Sequence, residues 1–250
     1  MIRGQSEPYH LVDARFYDER GDCELGPLPS NNGVDEPLDT GGAGKDTETL
    51  ATFLIDMSPS DMQRRLGDAL AVYVDAMRYP RGTEDQRASM WLEHTRRHGW
   101  KAVAAVEVAD HGDIGADRSA AALAAAPLLG VAYGYCGAPD QWWQQQVVQG
   151  LHRVGADRMR IAELMTSYFE LTELHIAPHA QGRGLGEALT RRLLAGRGEA
   201  HVLLSTPEIN GEANRAWRLY RRLGFTDIIR GYHFAGDPRA FAILGRALPL

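Results

Sequence analysis

Hydrophobic and polar positions along the chain change period from block to block, and the blocks predict alternating strands and helices. Apolar residues at helical spacing in 58–79 and 83–99 predict two helices, and a short strand precedes them at 52–57. Alternating or continuous apolar runs predict six more strands, at 101–109, 127–137, 168–177, 201–206, 225–234 and 240–248. Amphipathic segments at 185–195 and 212–223 predict two further helices between the later strands.

The order of these elements predicts a mixed α/β domain. It runs β-α-α-β-β, then a helical insert at about 138–166, then β-α-β-α-β-β. A β-α-β unit between antiparallel ends predicts one mixed sheet of about seven strands with helices on its faces. Residues 110–126 form an alanine-rich stretch, which we expect to be a long loop.

The first fifty residues differ in composition from the rest. Residues 1–49 hold eleven acidic and four basic side chains and show no sustained periodicity, whereas the whole chain carries a formal charge of −6. Such a segment buries too little apolar surface to offset its ordering entropy. We therefore expect residues 1–50 to be a disordered acidic extension and residues 51–250 to form the domain.

Composition excludes several classes of protein. The domain is close to neutral and has no long Lys/Arg run, so neither nucleic acid nor a membrane surface is an expected partner. The first residues show no basic segment followed by an apolar core, so no secretory leader is expected, and the most apolar run, 120–136, is broken by Pro127 and by glycines. Cys23 and Cys136 offer neither a disulfide framework nor a metal site, which favours a cytoplasmic protein without a metal.

A strand, a basic turn and a helix follow one another at residues 174–194. The turn carries three glycines: Gly182, Gly184 and Gly186. Backbone N–H groups in such a turn, next to a helix N-terminus, bind anions and most often phosphate, and Arg183 adds positive charge. The spacing G-x-G-x-G is not the dinucleotide fingerprint, and Glu187 and Ala188 stand where a P-loop has Lys followed by Ser or Thr.

Two motifs in this chain resemble those of one family. The pattern Gln181-x-x-Gly184-x-Gly186 resembles the acetyl-CoA pyrophosphate loop of the GNAT (Gcn5-related N-acetyltransferase) superfamily, Q/R-x-x-G-x-G/A. Residues 214–225 resemble its second motif, N-x-x-A-x-x-L-Y-x-x-x-G-F, with Leu219, Tyr220, Gly224 and Phe225 in place. Taken separately, the two motifs also fit an ordinary strand-to-helix turn and a glycine-capped helix. Together they identify residues 53–248 as similar to bacterial GNAT-domain proteins.

The resemblance implies the GNAT fold, in which the central strands of the sheet splay apart, and acetyl-CoA as cosubstrate. The turn is expected to bind the pyrophosphate, the strand before it to pair with the pantetheine, and an amide near Ile176 to face the thioester oxygen. Asn214 lies six residues before Tyr220, whereas the family usually has seven. The predicted cofactor-binding residues are Leu174, His175, Ile176, Gln181, Gly182, Arg183, Gly184, Leu185, Gly186 and Asn214.

The resemblance also implies direct acetyl transfer to an amine within a ternary complex. Tyr220 is the predicted general acid for the CoA sulfur, because a phenol stays protonated at neutral pH. Glu170 is the first candidate for the general base and Glu173 the second. Strict alternation along the strand puts Glu173 and His175 on the face opposite Glu170. A water held by Ser205 or Thr206 is an alternative to a side-chain base.

The acceptor side stays open at the level of sequence. The expected acceptor is the primary amine of a small molecule; the alternatives are a protein N-terminus or lysine, or a non-catalytic acyl-CoA sensor or interaction module. Trp142 and Trp143 in the insert are interpreted as a wall of the amine pocket. They fit equally well a helix packed on the sheet or the contact of a homodimer.

Overall fold

The computed structural model describes residues 49–110, 119–209 and 214–250. Almost all of the predicted acidic extension lies outside these ranges, as does the middle of the predicted loop at 110–126. Seven strands form one sheet: β1 (Thr49–Met57), β2 (Lys101–Asp110), β3 (Leu128–Cys136), β4 (Tyr168–Ile176), β5 (His201–Pro207), β6 (Thr226–Tyr232) and β7 (Phe241–Ala247).

The sheet has the order β1-β2-β3-β4-β5-β7-β6. Only β4 and β5 pair in parallel, and every other neighbouring pair is antiparallel. The parallel pair is the one joined by a helical crossover, as a β-α-β unit requires. The predicted mixed seven-stranded sheet is confirmed. Its first strand begins at Thr49, so two residues assigned to the disordered extension belong to the sheet.

Eight helices accompany the strands within the described residues: α1 (Pro59–Arg64), α2 (Leu66–Met77), α3 (Thr83–His94), α4 (Ala120–Ala125), α5 (Trp142–Arg153), α6 (Arg158–Met165), α7 (Leu185–Leu194) and α8 (Arg215–Arg222). Ser58 and Asp61 form a capping box that starts α1. The single helix predicted at 58–79 is interrupted at Arg65, whose guanidinium donates to the carbonyls of Ala124 and Ala126 at 3.0 and 2.8 Å. These hydrogen bonds hold the C-terminal end of α4 against the junction between α1 and α2.

Alternating strand residues build a separate apolar core on each face of the sheet. Val103 and Ala105 of β2 belong to the core under α7 and α8. Their neighbours Ala102 and Ala104 belong to the core under α1, α2 and α3, on the opposite face. We call these faces the α7–α8 face and the α2–α3 face.

The predicted helical insert is present as α5 and α6. Val147 and Leu151 of α5, with Ile161 and Leu164 of α6, are buried together with apolar residues of β5, β6 and β7. The insert is therefore packed on the sheet, which was one of the alternatives left open for it. It covers the β5–β7 half of the α2–α3 face, and a space remains at β4 between it and α3.

Candidate active site

Strands β4 and β5 pair over only three residues each. Tyr168, Phe169 and Glu170 pair with His201, Val202 and Leu203, and both strands then continue without a shared ladder. The edge of β4 that faces β5 is therefore unpaired beyond Glu170. This parting of the two strands is the splay that the resemblance implied.

A bulge at Thr172 changes the direction of the side chains that follow it. In the register with β3, Gly134 lies opposite Leu171 and Tyr133 opposite Glu173, so Thr172 has no partner. One extra residue reverses the alternation of every later side chain. Glu173 and His175 therefore lie on the same face as Glu170.

Contacts on the α2–α3 face agree with this register. The hydroxyl of Tyr135 donates to Glu170, and the ring of His175 meets the ring of Tyr73 edge-on at a centroid distance of 4.9 Å. Tyr73 and Tyr135 both belong to the core of that face. The expectation that Glu173 and His175 face away from Glu170 is wrong, because alternation holds only along a regular ladder.

A cavity of about 480 Å³ opens on this face, between α3, the parted strands, the start of α5 and the loop at 233–240. It brings together most of the residues that were singled out for chemistry and for the acceptor. Those lining it are Glu170, Glu173, Leu174, His175, Ser205, Thr206, Tyr220, Trp142 and Trp143. Ile176, Asn214 and the turn at 181–186 lie outside it.

Glu170 is buried at the base of this cavity, with 4% of its surface exposed. Tyr135 donates to Oε1 at 3.3 Å, and Oε2 is buried without a hydrogen-bond partner among the described residues. Burial raises the pKa of Glu170 to about 8, although the charge of Arg97 and the Tyr135 hydrogen bond oppose that rise. A carboxyl group with such a pKa can take up and release a proton near neutral pH.

Glu173 and His175 form a pair next to Glu170. His175 Nε2 and Glu173 Oε2 are 2.5 Å apart, and both side chains are largely buried. The ring of His175 also lies nearly parallel to that of Trp91, at 6.4 Å. His175, held between Tyr73 and Trp91, thus orients the Glu173 carboxylate in the cavity.

Tyr220 reaches the cavity from the opposite face of the sheet. It belongs to the core of the α7–α8 face, where its ring lies 5.6 Å from that of Phe225, yet it also lines the cavity. Burial first, and then the negative charge of Glu173, raise the pKa of its phenol above the usual value. The hydroxyl is therefore neutral and able to donate.

The glycine turn has the backbone conformation that requires glycine. Gly182 and Gly184 have φ of 84° and 79°, and Gly184 precedes α7 without a side-chain cap. A Cβ on either would meet nothing within 4 Å, so the space around them is open. A Cβ on Gly186 would lie 3.0 Å from Leu219, so this glycine lets α7 approach α8.

Polar side chains tie the turn to its surroundings. Gln181 Nε2 donates to the carbonyl of Ile176 at 3.1 Å, and its Oε1 accepts from Arg215 at 2.9 Å. Arg183 donates to the hydroxyl of Thr52 at 2.6 Å and to the carboxylate of Glu107 at 2.9 Å. The sequence predicted that Arg183 adds positive charge for a bound anion. In this structure Arg183 forms an ion pair with Glu107.

Asn214 serves as the N-cap of α8. Its Oδ1 accepts from the amide of Ala216 at 2.8 Å, which satisfies one free N–H of the first turn. The predicted start of this helix, at residue 212, lies outside the described residues. Asn214 therefore stabilises the start of α8, independently of any contact with a cofactor.

Comparison with known proteins decides the family. The Acetyltransferase (GNAT) domain family model matches residues 141–227. The GCN5-like protein acetyltransferase Rv2170 of Mycobacterium tuberculosis (strain ATCC 25618 / H37Rv) is 77% identical over 206 residues, which cover 80% of this chain and all of that protein. The chain belongs to the GNAT acetyltransferase family. Its family supports acyl transfer as the chemistry of the site.

A solved structure agrees with this family at the level of the fold. The crystal structure of a putative acetyltransferase of the GNAT family from Desulfovibrio desulfuricans has a TM-score of 0.51 and 17% sequence identity. The match covers 79% of this chain and 99% of that one. At this identity the likeness supports the fold alone, and it supports it over nearly the whole described region.

One part of the cavity lining in this GNAT protein, around Arg239, was not predicted from the sequence. Arg239, in the loop after β6, forms an ion pair with Asp237 and donates to the hydroxyl of Tyr79 at 3.0 Å. Burial alone would raise the pKa of Asp237, but hydrogen bonds from Arg239 outweigh it and lower the pKa. Tyr79 and Arg239 are 160 residues apart in the chain, so no local pattern connects them.

In 49–110, 119–209 and 214–250 no three His, Cys, Asp or Glu side chains are grouped as a metal ion would need. In the same ranges no helix has the length and apolar character needed to span a bilayer.

Proposed function

We propose that this protein is an acetyl-CoA-dependent N-acetyltransferase that transfers an acetyl group directly to a primary amine. One observation carries the proposal: β4 and β5 part after Glu170, and Glu170 and Tyr220 line the same cavity beside the gap. An unpaired strand edge can hydrogen-bond an extended, amide-containing chain as a sheet holds a further strand. A buried carboxylate and a neutral phenol provide a proton acceptor and a proton donor.

The residues around the gap fit acetyl-CoA, which would supply the acetyl thioester. Free N–H groups at the start of α7, next to Gly182 and Gly184, suit a pyrophosphate, because nothing fills the space above them. The backbone of Leu174, His175 and Ile176 lies on the unpaired edge of β4 and suits the pantetheine. A backbone amide near Ile176 would polarise the thioester carbonyl.

Each proposed catalytic group has one task. Glu170 accepts the proton that the attacking ammonium group loses, and its raised pKa suits that task near neutral pH. Tyr220 donates its hydroxyl proton to the departing thiolate. Glu173, which is bonded to His175 and lines the same cavity, is the second candidate base.

The acceptor has two candidates. The cavity is lined by Trp142 and Trp143 and by Arg239 and Tyr79, which are bonded to each other, and this supports the amine of a small molecule. The printed name of the mycobacterial relative, a protein acetyltransferase, supports a lysine or N-terminus of a protein. Either acceptor would present a primary amine to the same acetyl thioester.

We also propose that residues 49–250 make up this acetyltransferase domain, two residues more than the sequence predicted, and that the acidic segment before it lies outside. The mycobacterial relative, 206 residues in the match, corresponds to a chain of about the domain's size. The scarcity of cysteine supports a cytoplasmic location.

Release of free thiol from acetyl-CoA tests the function. The protein is assayed against small amines, amino acids, aminoglycosides, lysine peptides and whole proteins. We expect release with at least one group, and about a hundredfold lower kcat in Tyr220→Phe at an unchanged KM for acetyl-CoA. The control is Tyr232→Phe, which removes a phenolic hydroxyl from the α5–α6 core, outside the cavity.

Two results would contradict this assignment. Tight binding of CoA without thiol release from any acceptor group would favour a non-catalytic sensor. Equal kcat in Tyr220→Phe and the wild-type protein would remove Tyr220 as the acid.

A further inference from the structure

One arginine in the cavity lacks the contacts that a guanidinium group usually has in a protein interior. Arg87 of α3 lines the cavity and is partly buried, and its Nε is buried without a hydrogen-bond partner among the described residues. Its two recorded contacts are weak: the sulfur of Met90 at 3.9 Å, and the ring of Tyr73 at 5.9 Å from its centroid. A buried donor left unpaired destabilises the fold unless a ligand satisfies it.

The other two arginines of the cavity are already engaged. Arg239 is ion-paired with Asp237 and bonded to Tyr79. Arg97 lies over the ring of Tyr135 at 4.6 Å, and its charge acts on Glu170. Neither Arg87 nor Arg97 has a described carboxylate within ion-pair distance, but of the three arginines Arg87 is the one with a buried donor, Nε, that lacks a partner among the described residues.

Two carboxylates that line the same cavity already have other partners. Asp237 accepts three hydrogen bonds from the Arg239 guanidinium, and Glu173 is bonded to His175. The cavity therefore presents a guanidinium group, that of Arg87, with a buried N–H that has no partner and no carboxylate paired with it among the described residues. A carboxylate is the partner that a guanidinium binds best, through two parallel hydrogen bonds.

We propose that Arg87 binds a carboxylate group of the acceptor, so that the acceptor is an amine that also carries a carboxylate. The inference rests on the proposed function, since it concerns the acceptor of that same site. Residues 170–175 of β4 line the cavity. The ring of Tyr73 contacts both Arg87 and His175, so Arg87 lies near the His175 end of this segment, and Glu170 is at its other end. The two ends of the acceptor are thereby assigned: carboxylate at α3, amine at Glu170.

This carboxylate has two sources, a free amino acid or an acidic side chain next to a lysine in a polypeptide. The experiment therefore has two arms, both with acetyl-CoA and the full chain. One uses ω-amino acids from glycine to aminohexanoate, each paired with its carboxamide. The other uses lysine peptides with either aspartate or asparagine beside the lysine.

Three variants are compared with the wild-type protein in both arms. Arg87→Gln removes the charge, Arg87→Lys keeps the charge without the planar pair of donors, and Arg96→Gln is the control. Arg96 is exposed just after α3 and does not line the cavity. Thiol release gives kcat/KM, and calorimetry in the presence of CoA gives acceptor binding independently of turnover.

We expect the wild type to prefer the carboxylate member of at least one pair by about tenfold or more, in kcat/KM and in binding. Arg87→Gln should abolish that preference at an unchanged KM for acetyl-CoA, Arg87→Lys should keep part of it, and Arg96→Gln all of it. Whichever arm shows the preference identifies the source of the carboxylate.

Equal binding of both members of every pair, binding of neither, or the same preference in Arg87→Gln would overturn the inference. These outcomes are distinct from failure of the proposed function. That failure is the absence of thiol release with every acceptor, including the uncharged amines, and it leaves the binding comparison to decide on Arg87.

Discussion

At the scale of single residues, burial decides the chemistry of the candidate site. Glu170 accepts a hydrogen bond from Tyr135, its other oxygen has no partner among the described residues, and burial raises its pKa to about 8. Tyr220 has a raised pKa for the same reason. Tyr220 is thus neutral and able to act as an acid, whereas Glu170 accepts a proton only in its ionised form, whose share grows as the pH rises towards about 8.

Burial of Glu170 also makes stability depend on pH. Its carboxyl pKa is about 8 in the folded protein and 4.5 in its ordinary state. Between these values the folded chain holds more protons than the unfolded chain, so the free energy of unfolding falls as pH rises through that window. Glu170→Gln removes the titrating carboxyl group, and with it this decrease in the free energy of unfolding. The variant should become more stable than the wild type progressively from pH 4.5 to about 8, measured by urea denaturation, while its turnover falls.

Glu163→Gln is the matched control for this experiment, since Glu163 is exposed on α6. It should show no such pH-dependent gain. If the stability difference between Glu170→Gln and the wild type stays constant over the window, Glu170 does not titrate as its burial implies.

At the scale of elements, one irregularity and one turn shape the site. The extra residue Thr172 puts Glu170, Glu173 and His175 on one face of β4, where a regular strand would divide them. At the other end of the strand, Gly182 and Gly184 adopt positive φ, so that the chain can turn into α7 with its N–H groups free. The strand thus connects the proposed proton acceptor to the proposed phosphate site.

A substitution in the turn separates stability from cofactor binding. Gly184→Ala would force a non-glycine residue to φ of 79°, at a cost of about 1 kcal/mol in folding free energy. It would also shift the N–H groups at the start of α7. We expect the KM for acetyl-CoA to rise severalfold in steady-state assays, with a smaller change in kcat.

Gly196→Ala provides the matched control for the turn. Gly196 has φ of 71° and equally open surroundings, but it follows the C-terminal end of α7. It should lose similar stability in thermal denaturation and keep its KM. An equal rise of KM in both variants would mean that strain, and not the turn, weakens binding.

At the scale of the whole molecule, the cavity is the place where separate parts of the chain meet. Its walls come from α3, β4, α5, α8 and the loop at 233–240, and α5 contacts that loop through Trp142, whose ring lies 5.7 Å from Phe234. The insert is therefore both a helix packed on the sheet and a wall of the cavity. The two interpretations made from its sequence are compatible.

Trp142→Ala tests that wall. We expect a severalfold rise in the KM of the acceptor and an unchanged KM for acetyl-CoA, because Trp142 lines the cavity and lies away from the turn at 181–186. Val148→Ala, on the same helix but packed into the α5–α6 core, is the control and should lower stability alone. An unchanged acceptor KM in Trp142→Ala would mean that the insert has no part in acceptor binding.

The sequence by itself determined the order of the elements, the mixed sheet, the helical insert and the glycine turn before α7. These follow from periodicity, capping residues and motif spacing, all of which act between residues close in the chain. Tertiary structure alone decided that Glu173 and His175 face Glu170, because the bulge at Thr172 exists only in register with β3. It also decided the contact of Arg239 with Tyr79 and the burial of Arg87 Nε without a partner among the described residues, since burial and contact across the fold depend on residues that are distant in the chain.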